Sequence, residues 1–342
     1  MLDRRVTPRC CWCALQGFVD ASRLPGFEVL VDAVDAEAVT VDARYGFVPL
    51  RGVRKSEDAQ AGRAAPGDCE GAVQAYSAST MSTALVTGAS AGIGRAFAER
   101  LAREGTDLVV VARDRVRLEE LAAGLRTQHG VAVDVLVADL SDRVATSRVC
   151  ARLDDDVRPV DLLVNNAGFG LNGSFLDNDL ADEEAGLDVM VRAVMLTCHA
   201  AGRAMRGRGR GAILNVSSVA SFIANGSYSA EKAFVTVFTE GLASELAGTG
   251  VTATALCPGF TRTEFHARAG ILMSALPESL WLDADDVVQQ ALTDVARGKV
   301  VSVPGLQWKA ITAGVRVLPR PLLRGGTLRR LDRFRRPSSS AS

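Results

Sequence analysis

The chain has 342 residues, of which 48% are apolar and 23% charged, and its formal net charge is -1. That balance excludes wholesale disorder and a global basic field selecting nucleic acid, and no run approaches the roughly 18 uninterrupted apolar residues of a membrane-spanning helix. Seven cysteines are too few for a disulfide scaffold in a chain this long, and no apolar signal-peptide core follows the polar start Met1 to Arg9, so a reduced, cytoplasmic setting is expected.

Residues 1–80 read as an N-terminal extension. Cys10, Cys11, Cys13 and Cys69 lie here, and Cys10 and Cys13 have the spacing of a metal knuckle. No second ligand pair accompanies them, the first histidine being His129, so no metal is expected. Phe27 to Val48 has some strand-like alternation, too little to close a core. Val53 to Thr80, rich in Ala, Gly, Ser and charge, reads as a flexible linker.

The character changes at Met81. Ala84 to Thr87 is a short apolar run that ends in a glycine-rich turn. Val109 to Ala112, Val133 to Ala138, Leu162 to Val164, Ala212 to Val216, Val251 to Leu256 and Val300 to Val303 read as further strands. Near-continuous apolar runs are what parallel strands covered on both faces require. Between them lie helical stripes: Leu118, Leu121 and Leu125; then Leu187, Val191, Val194 and Cys198; then Phe234, Phe238, Leu242 and Leu246. The alternation predicts an α/β fold with a doubly wound parallel sheet and helices on both faces, over residues 81–305. Residues 306–342 read as a basic tail. Eight arginines between Arg316 and Arg336 face a single acid, Asp332, which allows weak contact with an anionic membrane surface.

Thr87-Gly88-Ala89-Ser90-Ala91-Gly92-Ile93-Gly94 follows the first strand and opens a helix over Arg95 to Arg103. Glycines there let backbone N–H groups approach a pyrophosphate at the positive end of the helix. Tyr228 and Lys232 stand four apart on one helix and share a face. A neighbouring ammonium favours the phenolate and would draw the tyrosine from its usual pKa of about 10 toward the working range, as a general acid or base requires.

The glycine spacing G-x-x-x-G-x-G, with Asn165-Asn166-Ala167-Gly168, Asn215-Val216-Ser217-Ser218, Tyr228-Ser229-Ala230-Glu231-Lys232 and Cys257-Pro258-Gly259 followed by Thr263, resembles the short-chain dehydrogenase/reductase family in order and spacing. The resemblance covers about residues 81–305 and implies a Rossmann-type catalytic domain; residues 1–80 have no counterpart in it. It implies a catalytic set of Ser218, Tyr228 and Lys232. The interval from serine to tyrosine is shorter than the family's usual loop, which keeps Ser217 as a rival to Ser218. The implied cofactor contacts are Thr87, Gly88, Ser90, Gly92, Ile93, Gly94, Arg113, Asp139, Leu140, Asn166, Ala167, Gly168, Tyr228, Lys232, Pro258, Gly259 and Thr263. The second strand ends in Ala112-Arg113 with no acid at its tip, which favours NADP over NAD. Met190 stands where the family usually carries an asparagine that anchors a relay water, and a thioether donates no hydrogen bond.

The expected function is NADP-dependent interconversion of an alcohol and a carbonyl on a lipophilic small molecule. Phe260, Phe265, Ile271, Leu272, Met273, Leu276, Leu280 and Trp281 make the substrate lid apolar, and Arg262 and His266 are its candidates for an anionic group. A non-catalytic NADP-binding regulator, motivated by Met190 and the short serine loop, stays open. By the resemblance, the Phe234–Leu246 and Leu187–Cys198 helices pair between subunits of a homodimer or homotetramer.

Residues 1–80 lack the apolar periodicity to offset backbone ordering, which costs about 1–2 kcal/mol per residue, and Met81 is expected to be the start of the gene product. A chain of residues 81–342 should therefore match the full chain in melting temperature and NADPH turnover. A clear loss of either would show that the extension contributes to the catalytic domain.

Overall fold

The computed structural model describes residues 82–170, 174–265 and 277–318. The expectations for the N-terminal extension, for the lid residues His266, Ile271, Leu272, Met273 and Leu276, and for the tail beyond Leu318 lie outside the described residues.

Seven parallel strands form one sheet: β1 (Thr83–Thr87), β2 (Asp107–Ala112), β3 (Val133–Val137), β4 (Leu162–Asn165), β5 (Gly211–Val216), β6 (Val251–Leu256) and β7 (Val301–Ser302). Their order is β3-β2-β1-β4-β5-β6-β7. Each apolar run picked out in the sequence is a strand. The helices are α1 (Gly92–Arg103), α2 (Arg115–His129), α3 (Arg143–Leu153), α4 (Leu180–Leu187), α5 (Ala193–Arg208), α6 (Gly226–Glu245), α7 (Ala284–Ala296) and α8 (Leu306–Val317). A π-helical turn, Asp188–Arg192, joins α4 to α5 and has the buried Met190 at its centre.

Pleating sends successive residues to opposite faces, and register carries each row across the sheet. Val109, Leu85, Leu163, Ile213 and Ala253 are mutual partners from β2 to β6 and share one core with α3, α5 and α6. Val110, Val86, Val164 and Leu214 make the next row and face α1, α2 and α7. Both faces of the central strands are covered, which is why β1, β2, β4, β5 and β6 are mostly apolar. The stripe on α2 behaves as expected, with Leu118, Leu121 and Leu125 buried. The stripe on α6 divides. Leu246 is buried and Phe238 and Leu242 pack on the core, whereas Phe234 and its neighbour Val237 face solvent.

A buried polar chain fixes the helices that flank β4 and β5. Thr197 Oγ1 of α5 donates to Asn165 Oδ1 at 2.9 Å, Asn165 Nδ2 donates to Asn215 Oδ1 at 2.9 Å, and Asn215 Nδ2 donates to Thr239 Oγ1 of α6 at 2.9 Å. α8, within the stretch read as a basic tail, packs its buried Trp308 against Ala255, Cys257 and Val303, and the indole Nε1 donates to Leu280 O at 3.0 Å. Asn215→Ala should lower stability in urea unfolding by about 1–3 kcal/mol, because it strands a buried donor and a buried acceptor at once. An unchanged midpoint would show that the chain does not tie α6 to the sheet.

Candidate active site

The glycine turn lies where β1 ends beside β4. Thr87 Oγ1 accepts from the backbone N–H of Asn166 at 2.9 Å and of Ala167 at 3.1 Å, and Asn166 Nδ2 donates back to Thr87 O at 3.0 Å. Gly88 has φ +66°, and a Cβ on it would sit 2.9 Å from Ala167 Cα. Gly94 is tighter still, since a Cβ there would meet Asn166 Nδ2 at 2.3 Å and Gly88 O at 2.4 Å. At Gly88 and Gly94 the turn thus admits no side chain. α1 begins at Gly92 with no side-chain cap and no acid in its first turn, which leaves its N-terminal N–H groups to meet an anion.

A cavity of about 820 Å³ opens above the turn and runs to Tyr228 and on to α8. Gly88, Ser90, Gly92, Ile93, Arg113, Asp139, Leu140, Asn166, Ala167, Gly168, Ser218, Tyr228, Lys232, Pro258, Gly259 and Thr263 line it. Thr87 and Gly94 stand behind the turn and hold its shape. At one end Arg113 has its side chain 74% exposed and lies 3.9 Å from Asp139. Burial pushes the Asp139 carboxyl up, but two hydrogen bonds from Ser141 and the Arg113 charge outweigh it and hold the group below the usual range. Arg117, unremarked in the sequence, reaches the same end from α2 and pairs with Glu264 at 3.1 Å.

At the centre, the two serines differ in their surroundings. Ser217 is 2% exposed, and its hydroxyl is engaged at 2.7 Å with both Lys232 O and Thr236 Oγ1, a packing role within α6. Ser218 lines the cavity together with Tyr228 and caps the short 3-10 turn Val219–Phe222 by accepting from Ala220 N at 3.1 Å. Lys232 Nζ donates to Val216 O at 2.9 Å and lies 5.7 Å from the centre of the Tyr228 ring. Burial pushes the Tyr228 hydroxyl up to about 12, with Ser218 opposing and Glu231 reinforcing the rise. Burial likewise pushes Lys232 down to about 8, against the pull of Glu231. Met190 and Lys232 flank Gly168: a Cβ there would meet Met190 Sδ at 3.2 Å and Lys232 Nζ at 3.5 Å.

The far wall is apolar and built by α8 with the 3-10 turn: Trp308, Ile311 and Val315 stand opposite Phe222 and Ile223. No motif marks α8, so its part in the cavity was missed in the sequence. Gly259 is small because a Cβ there would fall 2.1 Å from the Trp308 indole. Of the lid residues, Phe260 and Phe265 line the cavity, whereas Trp281 is buried against Phe260, with ring centres 5.6 Å apart. Arg262, expected as an anion-binding candidate, is instead drawn to Glu278 and stacks on Trp281.

A family model described as short chain dehydrogenase matches residues 82–270. Among solved structures, a short-chain dehydrogenase from Sphingobium yanoikuyae in complex with NADPH is similar at 37% identity and TM-score 0.63, over 76% of this chain and 98% of that one. A bulky-bulky ketone specific alcohol dehydrogenase from Comamonas testosteroni is similar at 32% identity and TM-score 0.60, over 73% of this chain and 98% of that one. The short-chain reductase protein NovJ of Streptomyces niveus is 36% identical over 225 residues, 64% of this chain and 81% of that protein.

Gly94→Ala should push the turn off α1, costing about 1–3 kcal/mol of stability by overpacking, and should weaken NADPH binding in a fluorescence titration. Wild-type affinity in this variant would mean that the turn does not receive the dinucleotide.

Proposed function

Since the chain belongs to the short-chain dehydrogenase/reductase family, we propose that it transfers hydride between NADP(H) and a bulky, lipophilic carbonyl/alcohol pair, with Tyr228 as general acid/base. One observation carries the reading: Ser218, Tyr228, Lys232 and the glycine turn line the same cavity, whose end at α8 carries the apolar Trp308, Ile311 and Val315. NADP(H), when bound, supplies or accepts the hydride.

Gly88, Ser90, Gly92, Ile93 and the N-terminus of α1 would cradle its pyrophosphate, with Thr87 and Gly94 holding the turn behind them. Asp139, Leu140 and Asn166 to Gly168 would flank the adenosine half; Pro258, Gly259 and Thr263 would close the nicotinamide half. Ala112 ends β2 without a carboxylate, and Arg113 and Arg117 present two guanidinium groups there, which supports a 2′-phosphate and hence NADP over NAD.

Ser218 would donate to the substrate oxygen, stabilising the charge that develops on it. Tyr228, its proton firmly held by burial, would deliver that proton to the carbonyl oxygen in reduction and accept it back in oxidation. Lys232, fixed by Val216 O, would hold its positive charge beside the phenol and bind the nicotinamide ribose. Trp308, Ile311 and Val315 would exclude water and receive the apolar body of the substrate. The bulky-ketone relative supports a substrate of that size.

We also propose a homo-oligomer formed through the outward faces of α5 and α6, where Met195, Leu196, Phe234 and Val237 are exposed together with Leu187 at the end of α4. No helix among the described residues is long and apolar enough to cross a membrane, and Cys150, Cys198 and Cys257 are free thiols, as a reducing cytoplasm would keep them.

The test is NADPH oxidation against a panel of bulky ketones, with NADH as control. Tyr228→Phe should cost at least about 10²-fold in kcat while leaving NADPH affinity within a few-fold, and Arg113→Asp should lower the NADP/NAD ratio of kcat/KM. Full turnover in Tyr228→Phe, or an unchanged ratio in Arg113→Asp, would overturn the corresponding assignment.

A further inference from the structure

Apart from Lys232, the charged residues that line the cavity are Arg113, Asp114, Arg117, Asp139 and Glu264. They gather at the end assigned above to the 2′-phosphate, so three carboxylates face two guanidinium groups where a phosphate dianion is to bind. Two of these acids serve the elements that carry the arginines. Asp114 caps α2 by accepting from Arg117 N at 3.1 Å, with its second oxygen 3.5 Å from Arg117 Nε. Asp139 accepts from Ser141 N at 2.9 Å and from Ser141 Oγ at 2.7 Å. Glu264 comes from elsewhere, the segment that follows β6. Arg117 Nη1 donates to both of its oxygens, at 3.1 and 3.4 Å.

The neighbours of Glu264 hold it in that place. Thr263 lies against the glycine turn, where a Cβ on Gly92 would meet Thr263 Cβ at 3.3 Å. Phe265 lies against the reactive tyrosine, with the ring centres of Tyr228 and Phe265 6.0 Å apart. The backbone just before them is tied to Leu282, since Arg262 N donates to Leu282 O at 2.9 Å and Leu282 N donates to Phe260 O at 2.8 Å. The carboxylate is thus carried by a segment that touches the pyrophosphate cradle and Tyr228, and it ends on a guanidinium that the dinucleotide also needs. Both side chains of the Arg117–Glu264 pair are about half exposed, and an ion pair in that setting is weak enough to be exchanged for another partner.

We propose that Glu264 is a specificity-determining residue: it occupies Arg117 in competition with the 2′-phosphate of NADP(H) and holds the preference for NADP(H) over NAD(H) below what Arg113 and Arg117 alone would give. The proposal rests on the reading of this end as the 2′-phosphate site. To bind there, the phosphate must take over guanidinium donors that Glu264 already holds. NAD(H) carries a neutral hydroxyl at that position and has no such exchange to make, so the carboxylate acts on one cofactor and not on the other.

The test measures Kd for NADPH and for NADH by fluorescence titration of the full-length chain. Glu264→Gln, which keeps the size and removes the charge, should tighten NADPH about two- to five-fold and leave NADH unchanged, with the gain shrinking at high salt. Arg117→Gln should weaken NADPH and not NADH, and in that background most of the gain from Glu264→Gln should vanish. An equal loss of both cofactors in Glu264→Gln would make the residue a latch that retains the whole dinucleotide, and would overturn the proposal. Unchanged binding of both would overturn it too, as would an undiminished gain in the Arg117→Gln background, which would show a diffuse charge effect. A ratio of the two Kd values that moves in neither Arg113→Asp nor Arg117→Gln would instead overturn the 2′-phosphate assignment, and the competition with it.

Discussion

The architecture turns on the tie between Thr87 and Asn166. The sheet winds outward in opposite directions from β1 and β4, so the chain leaves these two neighbouring strands toward opposite faces and a crevice opens between their ends. Both departing loops bring polar backbone into a confined space. The threonine hydroxyl accepts two N–H groups from the β4 loop, and the asparagine amide repays the carbonyl of β1. With that exchange made, the glycine turn has one position, α1 can settle on it only through a residue without a side chain, and the floor of the cavity is fixed before any ligand arrives.

The reactive groups inherit this precision through a second set of buried polar contacts. α6 is long, and its apolar stripe alone would let it slide along the sheet. The chain Thr197–Asn165–Asn215–Thr239 pins it at Thr239, and Ser217 binds the Lys232 carbonyl two turns earlier. Strand alternation then does the rest. As β5 ends, consecutive serines point to opposite sides, so one hydroxyl holds the helix and the next lines the cavity.

Much of this was legible in the sequence. Seven apolar runs gave seven strands because a sheet covered on both faces leaves its residues little choice. The glycine turn, the paired asparagines and the Tyr–Lys spacing were legible because each answers a local geometric need. What escaped is what depends on distant partners. Ser217 and Ser218 are equivalent in composition, and only the position of Lys232 O separates them. Arg117 reads as a solvated helix residue until the loop bearing Glu264 is brought opposite. α8 carries no motif, because a wall for an apolar molecule requires shape rather than particular chemistry.

That wall has a consequence for how such a protein can change. α8 lies beyond the matched family region, yet it lines the apolar end of the cavity, and it is fastened to the rest through Trp308, whose indole stands over Gly259, packs on Ala255, Cys257 and Val303 and donates to Leu280 O. Gly259 also borders the nicotinamide half of the proposed dinucleotide site. A change in bulk at Ile311 or Val315 would reshape the apolar end of the cavity without touching that joint, whereas a side chain at Gly259 would displace the indole and disturb the border of the proposed dinucleotide site at the same stroke.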